Sequence, residues 1–92
     1  MAFYRNMADI IAASRRAGHH WFSPETKRFF RCRVHPRVYG GKYFVTSEQF
    51  NDGSPRLYTV REAKENGDID TVGEFQQYRT STQAHRAAAK MG

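Results

Sequence analysis

The sequence predicts an α+β domain: a four-stranded antiparallel β-meander with an N-terminal helix and a C-terminal helix packed on one face. Three observations carry that expectation. Turn pairs at Gly40-Gly41 and Asn66-Gly67 each sit between runs of alternating apolar and polar residues, the pattern of a hairpin. Asn6 precedes an amphipathic stretch near one end, and Thr80, with Gln83 at capping-box spacing, precedes another near the other end. The length, 92 residues, allows one core and no second independent domain, so residues 1–92 read as a single unit.

The first helix is expected over about residues 6–17. Asn6 is the N-cap, Asp9 lies in the first turn, Arg15 and Arg16 lie in the last, and Gly18 supplies a left-handed stop. Its apolar stripe is Met7, Ile10 and Ile11, with Phe3 one turn earlier. Ser23-Pro24 then opens a short helical turn through Lys27, because proline is tolerated at the first helical position; Trp21 anchors the loop before it.

The meander is expected over about residues 29–76. A two-residue turn at Gly40-Gly41 pairs Tyr39 with Lys42, Arg37 with Phe44, His35 with Thr46, Arg33 with Glu48 and Arg31 with Phe50. Parity then separates the side chains. One face carries Phe30, Cys32, Val34, Val38, Tyr43 and Val45, and the other Arg31, Arg33, His35, Arg37, Tyr39 and Lys42. Asn66-Gly67 likewise puts Tyr58, Val60, Ile69 and Phe75 on one face and Thr59, Arg61, Asp70 and Glu74 on the other. Residues 51–55 form the turn between the hairpins. Pro36 removes a ladder donor, which places the first strand at an edge or in a bulge. The last helix, about residues 81–91, has a weak stripe of Ala84, Ala87, Ala88 and Met91 and is expected to be little buried.

Composition sets the kind of core. Val, Ile, Leu and Phe make only 16 residues, with a single Leu, so the interior must be led by the seven Phe, five Tyr and one Trp. A lone cysteine excludes an intrachain disulfide and points to a reducing compartment. The longest apolar run, Met7 to Ala13, is broken by Asp9 and too short to span a bilayer, and the N-terminus lacks a signal-peptide pattern, so a soluble cytoplasmic monomer is expected.

Charge is unevenly distributed. The net charge is +6, but residues 1–46 hold nine Lys or Arg against Asp9 and Glu25, whereas residues 47–92 hold six against seven acids. Between Lys27 and Lys42 there is no acid at all. Such a field attracts polyanions or acidic protein surfaces. Arginines at period two stand on one side of a strand about 6.7 Å apart, and their planar forks suit phosphates and carboxylates. The expected partner or nucleic-acid-binding residues are therefore Arg28, Arg31, Arg33, His35, Arg37, Tyr39 and Lys42, with the Tyr39 and Phe44 rings available for stacking. Without an RNP-like consensus, sequence specificity is not indicated.

Catalytic chemistry finds little support in the sequence. Cys32 and His35 have C-x-x-H spacing, but on a strand residues three apart point to opposite faces, which argues against a metal. Ser23 near His20 lacks an orienting carboxylate and a glycine-rich oxyanion turn. Gly40-Gly41 lacks the Lys-Ser/Thr of a phosphate loop. The expectation is a binding protein, not an enzyme, with no cofactor, no metal and no small-molecule ligand.

Three segments, residues 29–34, 38–50 and 70–76, together with the opening Met1-Ala2-Phe3-Tyr4, resemble a small family of phage and mobile-element proteins, the type I-F anti-CRISPR proteins. The likeness covers nearly the whole chain and rests on overall sequence and size, without a diagnostic motif. It implies a stoichiometric inhibitor in the cytoplasm of a phage-infected bacterial host. Such an inhibitor docks on the Cascade-like (Csy) surveillance complex, whose Cas proteins hold a crRNA guide, and stops it hybridising to target DNA. An arginine-lined sheet face could contact crRNA phosphates and acidic Cas side chains together. Two other readings fit the composition: a small phage or plasmid nucleic-acid-binding regulator, and a basic metal-independent RNase toxin.

Overall fold

A computed structural model of the chain describes residues 4–29 and 31–92. The expectations placed on Phe3 and Phe30 lie outside the described residues, as does the side chain of Phe29. The fold is α+β, and its elements follow in the order α1 (Met7–Arg16), α2 (Pro24–Phe29), β1 (Arg33–Val34), β2 (Tyr43–Glu48), β3 (Leu57–Ala63), β4 (Ile69–Val72) and α3 (Ser81–Met91). The four strands form one antiparallel sheet in chain order.

Both long helices form where their caps lie. The Asn6 side chain accepts from the Asp9 N–H at 3.0 Å, with Asn6 extended at φ −160°. At the other end of α1 the His19 N–H reaches the Ser14 carbonyl at 3.1 Å and the Gly18 N–H reaches Arg15 at 3.0 Å, a Schellman stop with Gly18 at φ +83°. Thr80 caps α3 through the Gln83 N–H at 3.1 Å. Ser23 does the same for α2, accepting from the Thr26 N–H at 3.2 Å.

The helices do not share a face, which corrects the expected packing. Met7 and Ile10 of α1, with Phe22, bury against Phe44, Ala63 and Ile69; Ala84 and Ala88 of α3 bury against Val45 and Val60. Phe44 and Val45 are neighbours on β2, so their side chains point to opposite sides of the sheet. Residues 44–48 are all buried, as expected of a strand covered on both sides. Ala84 and Ala88 are fully buried, so α3 is docked on the sheet more firmly than its weak stripe suggests. Small alanines let the helix axis come close, and Tyr39, Tyr43, Tyr58, Val72 and Tyr78 pack around them.

The register explains this division. Both glycine turns are one residue longer than expected. Tyr39 pairs with Tyr43, not Lys42, with the Tyr39 N–H on the Tyr43 carbonyl at 2.7 Å and the Tyr43 N–H on the Tyr39 carbonyl at 2.9 Å. Ala63 pairs with Ile69 and Lys64 donates to the Asp68 carbonyl at 2.8 Å, closing a loop of Glu65, Asn66 and Gly67. Three-residue hairpin loops with a left-handed glycine are the next most common kind after two-residue ones. A slip of one residue sends alternate side chains to the other face. Ile69 therefore joins Arg61 and Ala63 on the α1 side, while Val60 and Val72 share the α3 side.

The first strand departs furthest from expectation. Arg31 has φ +49°, which reverses the chain after α2, so β1 has only Arg33 and Val34, paired with Ser47 and Thr46. Four residues, 35–38, then face only Phe44 and Val45 before pairing resumes at Tyr39. That bulge contains Pro36, where it was expected. The last strand stops at Val72. Residues 73–77 loop out, and the chain rejoins β3 where Tyr78 pairs with Tyr58. Phe75 is consequently a loop residue, not a strand residue.

Candidate nucleic-acid interface

The seven expected site residues fall into two separate groups. Arg28, Arg31 and Arg33 are exposed and gather in one groove, which Lys27 from α2 and Arg56 from the start of β3 complete. The groove has a volume of about 480 Å³, and Asp52 is the single carboxylate among its lining residues. The reversal at Arg31 brings α2 and β1 side by side, so residues 27, 28, 31 and 33 converge without strand periodicity.

Arg56 is held rigidly. Its Nη1 donates to the Arg31 carbonyl at 2.9 Å, and to the Ser47 carbonyl and hydroxyl, both at 3.0 Å. Arg31 pairs with Asp52 across the groove mouth. That pair is exposed and contributes little to stability. Its consequence is positional, since it leaves Lys27, Arg28, Arg33 and Arg56 as the cations with no carboxylate partner lining the groove.

His35, Arg37, Tyr39 and Lys42 go elsewhere, which corrects the expectation of one flat basic column. His35 and Tyr39 turn under α3, where His35 Nδ1 meets His85 Nε2 at 2.9 Å and the Tyr39 hydroxyl meets His85 Nδ1 at 2.8 Å. Burial pushes His35 below its ordinary pKa, helped by His85 and Arg56; burial and Arg37 do the same to His85. The Arg37 guanidinium lies over the Tyr39 ring at 5.3 Å. Lys42 pairs with Glu62 at 3.3 Å and lies over Tyr43. Phe44, expected to offer an exposed ring, is fully buried.

Cys32 and His35 lie on opposite sides of the sheet. The Cys32 thiol donates to Glu48 Oε2 at 3.6 Å on the α1 side, whereas His35 faces α3, so the pair does not converge on one ion. Burial first, and the Glu48 carboxylate second, push the Cys32 pKa up to about 12. The thiol is therefore protonated and a poor nucleophile at neutral pH.

Residues 6–89 match the model of a family of unknown function, DUF7447. The chain belongs to that family. Comparison with curated proteins and with solved structures finds no match. No helix among the described residues is long and apolar enough to cross a membrane.

Two groove residues escaped the sequence reading of the site. Lys27 lay inside the acid-free run and was visible there. Arg56 carried no linear signal, because its place depends on β3 running antiparallel to β2 beside Ser47.

Proposed function

We propose that this protein acts by binding, not turnover, as a stoichiometric inhibitor of a type I-F crRNA-guided surveillance complex. It seats its basic groove on crRNA phosphates and adjoining acidic Cas side chains and blocks hybridisation with target DNA, in the cytoplasm of a phage-infected bacterium. The observation that supports the binding half is the convergence of Lys27, Arg28, Arg31, Arg33 and Arg56, from α2, the turn after it, β1 and the approach to β3, around a single lining carboxylate. The choice of partner rests on the resemblance described above. Arginine forks and a rigid backbone-anchored Arg56 favour phosphate oxygens over a diffuse counter-ion cloud.

Four cations without a groove carboxylate imply about four neutralised phosphates, hence a log–log salt slope of roughly −3 for a single strand. The decisive experiment is a pull-down from cells carrying a type I-F system, followed by a target-DNA binding assay on the recovered complex. Capture of the complex with loss of DNA binding is expected. Charge reversal at Arg31 and Arg33 together should weaken inhibition without changing the fold, as both are exposed. Failure to capture the complex, with a gel shift of isolated DNA or RNA instead, would replace this reading with that of a nucleic-acid-binding regulator. Growth arrest and mRNA cleavage on expression would replace it with that of an RNase.

A further inference from the structure

A second cavity, of about 390 Å³, adjoins the basic groove on the α1 side of the sheet. Lys27 and Cys32 line both spaces, so a chain lying in the groove can place one group in the cavity without leaving it. The cavity has aromatic walls. The Arg61 guanidinium carbon lies over both rings, 5.3 Å from the Trp21 centroid and 5.4 Å from the Phe75 centroid, covering one face of each. Trp21 is braced edge-on by Phe22 at 4.7 Å and Phe44 at 6.2 Å, while Phe75, on its loop, is 48% exposed.

The lining also holds an ion pair that packing alone does not require. Arg61 Nη2 lies 3.3 Å from Glu48 Oε2, and both residues are buried. Apolar side chains of similar volume would stabilise such a place equally well or better. Arg61 donates its Nε–H to Thr46 at 3.0 Å and one Nη1–H to Thr71. With the Glu48 bond, three of its five N–H groups are engaged by side chains of the described residues, and Arg61 itself lines the cavity.

We propose that this cavity takes one unstacked nucleobase of a single-stranded RNA whose phosphates occupy the basic groove, with the base against Trp21 and Phe75 and an acceptor on its edge facing Arg61. The inference rests on the groove reading and extends it from phosphate contact to base contact. The volume lies at the small end of ligand cavities, enough for one base and far too small for a duplex. Aromatic faces bind unstacked bases with little regard to sequence, in keeping with the missing RNP consensus.

Trp21 is the only tryptophan of the chain and reports directly on the cavity. The test titrates the full chain with a short single-stranded RNA and with an abasic oligomer of the same length and charge, following tryptophan emission and affinity. The base-bearing strand should quench Trp21 and bind about tenfold more tightly than the abasic one. Phe75→Ala should remove that difference and leave abasic binding unchanged, and Phe75→Tyr should restore it; thermal melts confirm that the variants fold. Equal binding of the two oligomers with unaltered emission would overturn the base site and leave the groove intact. Binding of neither oligomer by a protein that still captures the surveillance complex would overturn it too, assigning the cavity to a protein side chain.

Discussion

The buried pair Glu48–Arg61 gives the sharpest test of the packing described above. The side chains retain 3% and 10% of their accessible surface, and Glu48 also accepts from Thr59 at 2.8 Å and from Cys32. Glu48→Gln keeps the shape and an acceptor for Thr59 but strands the guanidinium without its counter-charge. Breaking one side of a buried pair costs about 3–5 kcal/mol. For a domain of 92 residues that is a drop in Tm of roughly 15–25 °C, at ~5 °C per kcal/mol. Replacing both partners at once, Glu48→Leu with Arg61→Met, removes the stranded charge and should change stability by under about 1 kcal/mol or raise it. Urea unfolding followed by circular dichroism on the wild type, Glu48→Leu, Arg61→Met and the Glu48→Leu/Arg61→Met double variant closes a double-mutant cycle. A coupling of ~3 kcal/mol or more is expected. If Glu48→Gln costs less than about 1 kcal/mol, the pair behaves like an exposed one and the site is solvated, contrary to the geometry.

Three further expectations follow from other parts of the molecule. Gly53 and Gly67 have nearly the same φ, +89° and +86°, but a Cβ at Gly53 meets nothing within 4 Å whereas one at Gly67 would lie 2.6 Å from the Ala13 carbonyl of α1. Gly53→Ala should cost only left-handed strain, on the order of 1 kcal/mol, and Gly67→Ala clearly more; equal melting temperatures would refute the contact between that hairpin and α1. Native Cys32 should react with a disulfide reagent at pH 8 at least about a hundredfold more slowly than a free thiol, and fast labelling without unfolding would contradict its burial beside Glu48. His35 and His85 are both held below their ordinary pKa, so the unfolded chain binds more protons than the native one near pH 6. Their contribution is therefore complete above about pH 6.5 and is lost as pH falls through the lower native values, so Tm should fall from pH 7 to pH 5 more steeply in the wild type than in His85→Gln. Parallel pH profiles of the two proteins would show that the histidine contact does not form in solution.

What the sequence by itself determined is what depends on a few neighbouring residues. Asn6, Gly18 and Thr80 set the helix ends because capping is a local hydrogen-bond problem, and Gly40, Gly41 and Gly67 adopt positive φ because only glycine does so without a Cβ penalty. Four strands, their antiparallel order and the bulge around Pro36 were legible on the same grounds. Register was not. A two-residue and a three-residue loop are both satisfied by the same glycines, and burial on the two sides of β2 decides between them: Phe44 needs the α1 side and Val45 the α3 side. That choice placed α3 opposite α1 and turned His35 and Tyr39 beneath it, dissolving the column that alternation suggested. The left-handed turn at Arg31 folded the remaining arginines back beside α2, and β3 brought up Arg56 from a distant part of the chain. The basic character of the region could be read from residue types, since charge is a property of composition. Its shape as a groove belongs to the tertiary structure, because it requires contacts between strands and helices whose spacing no local rule prescribes.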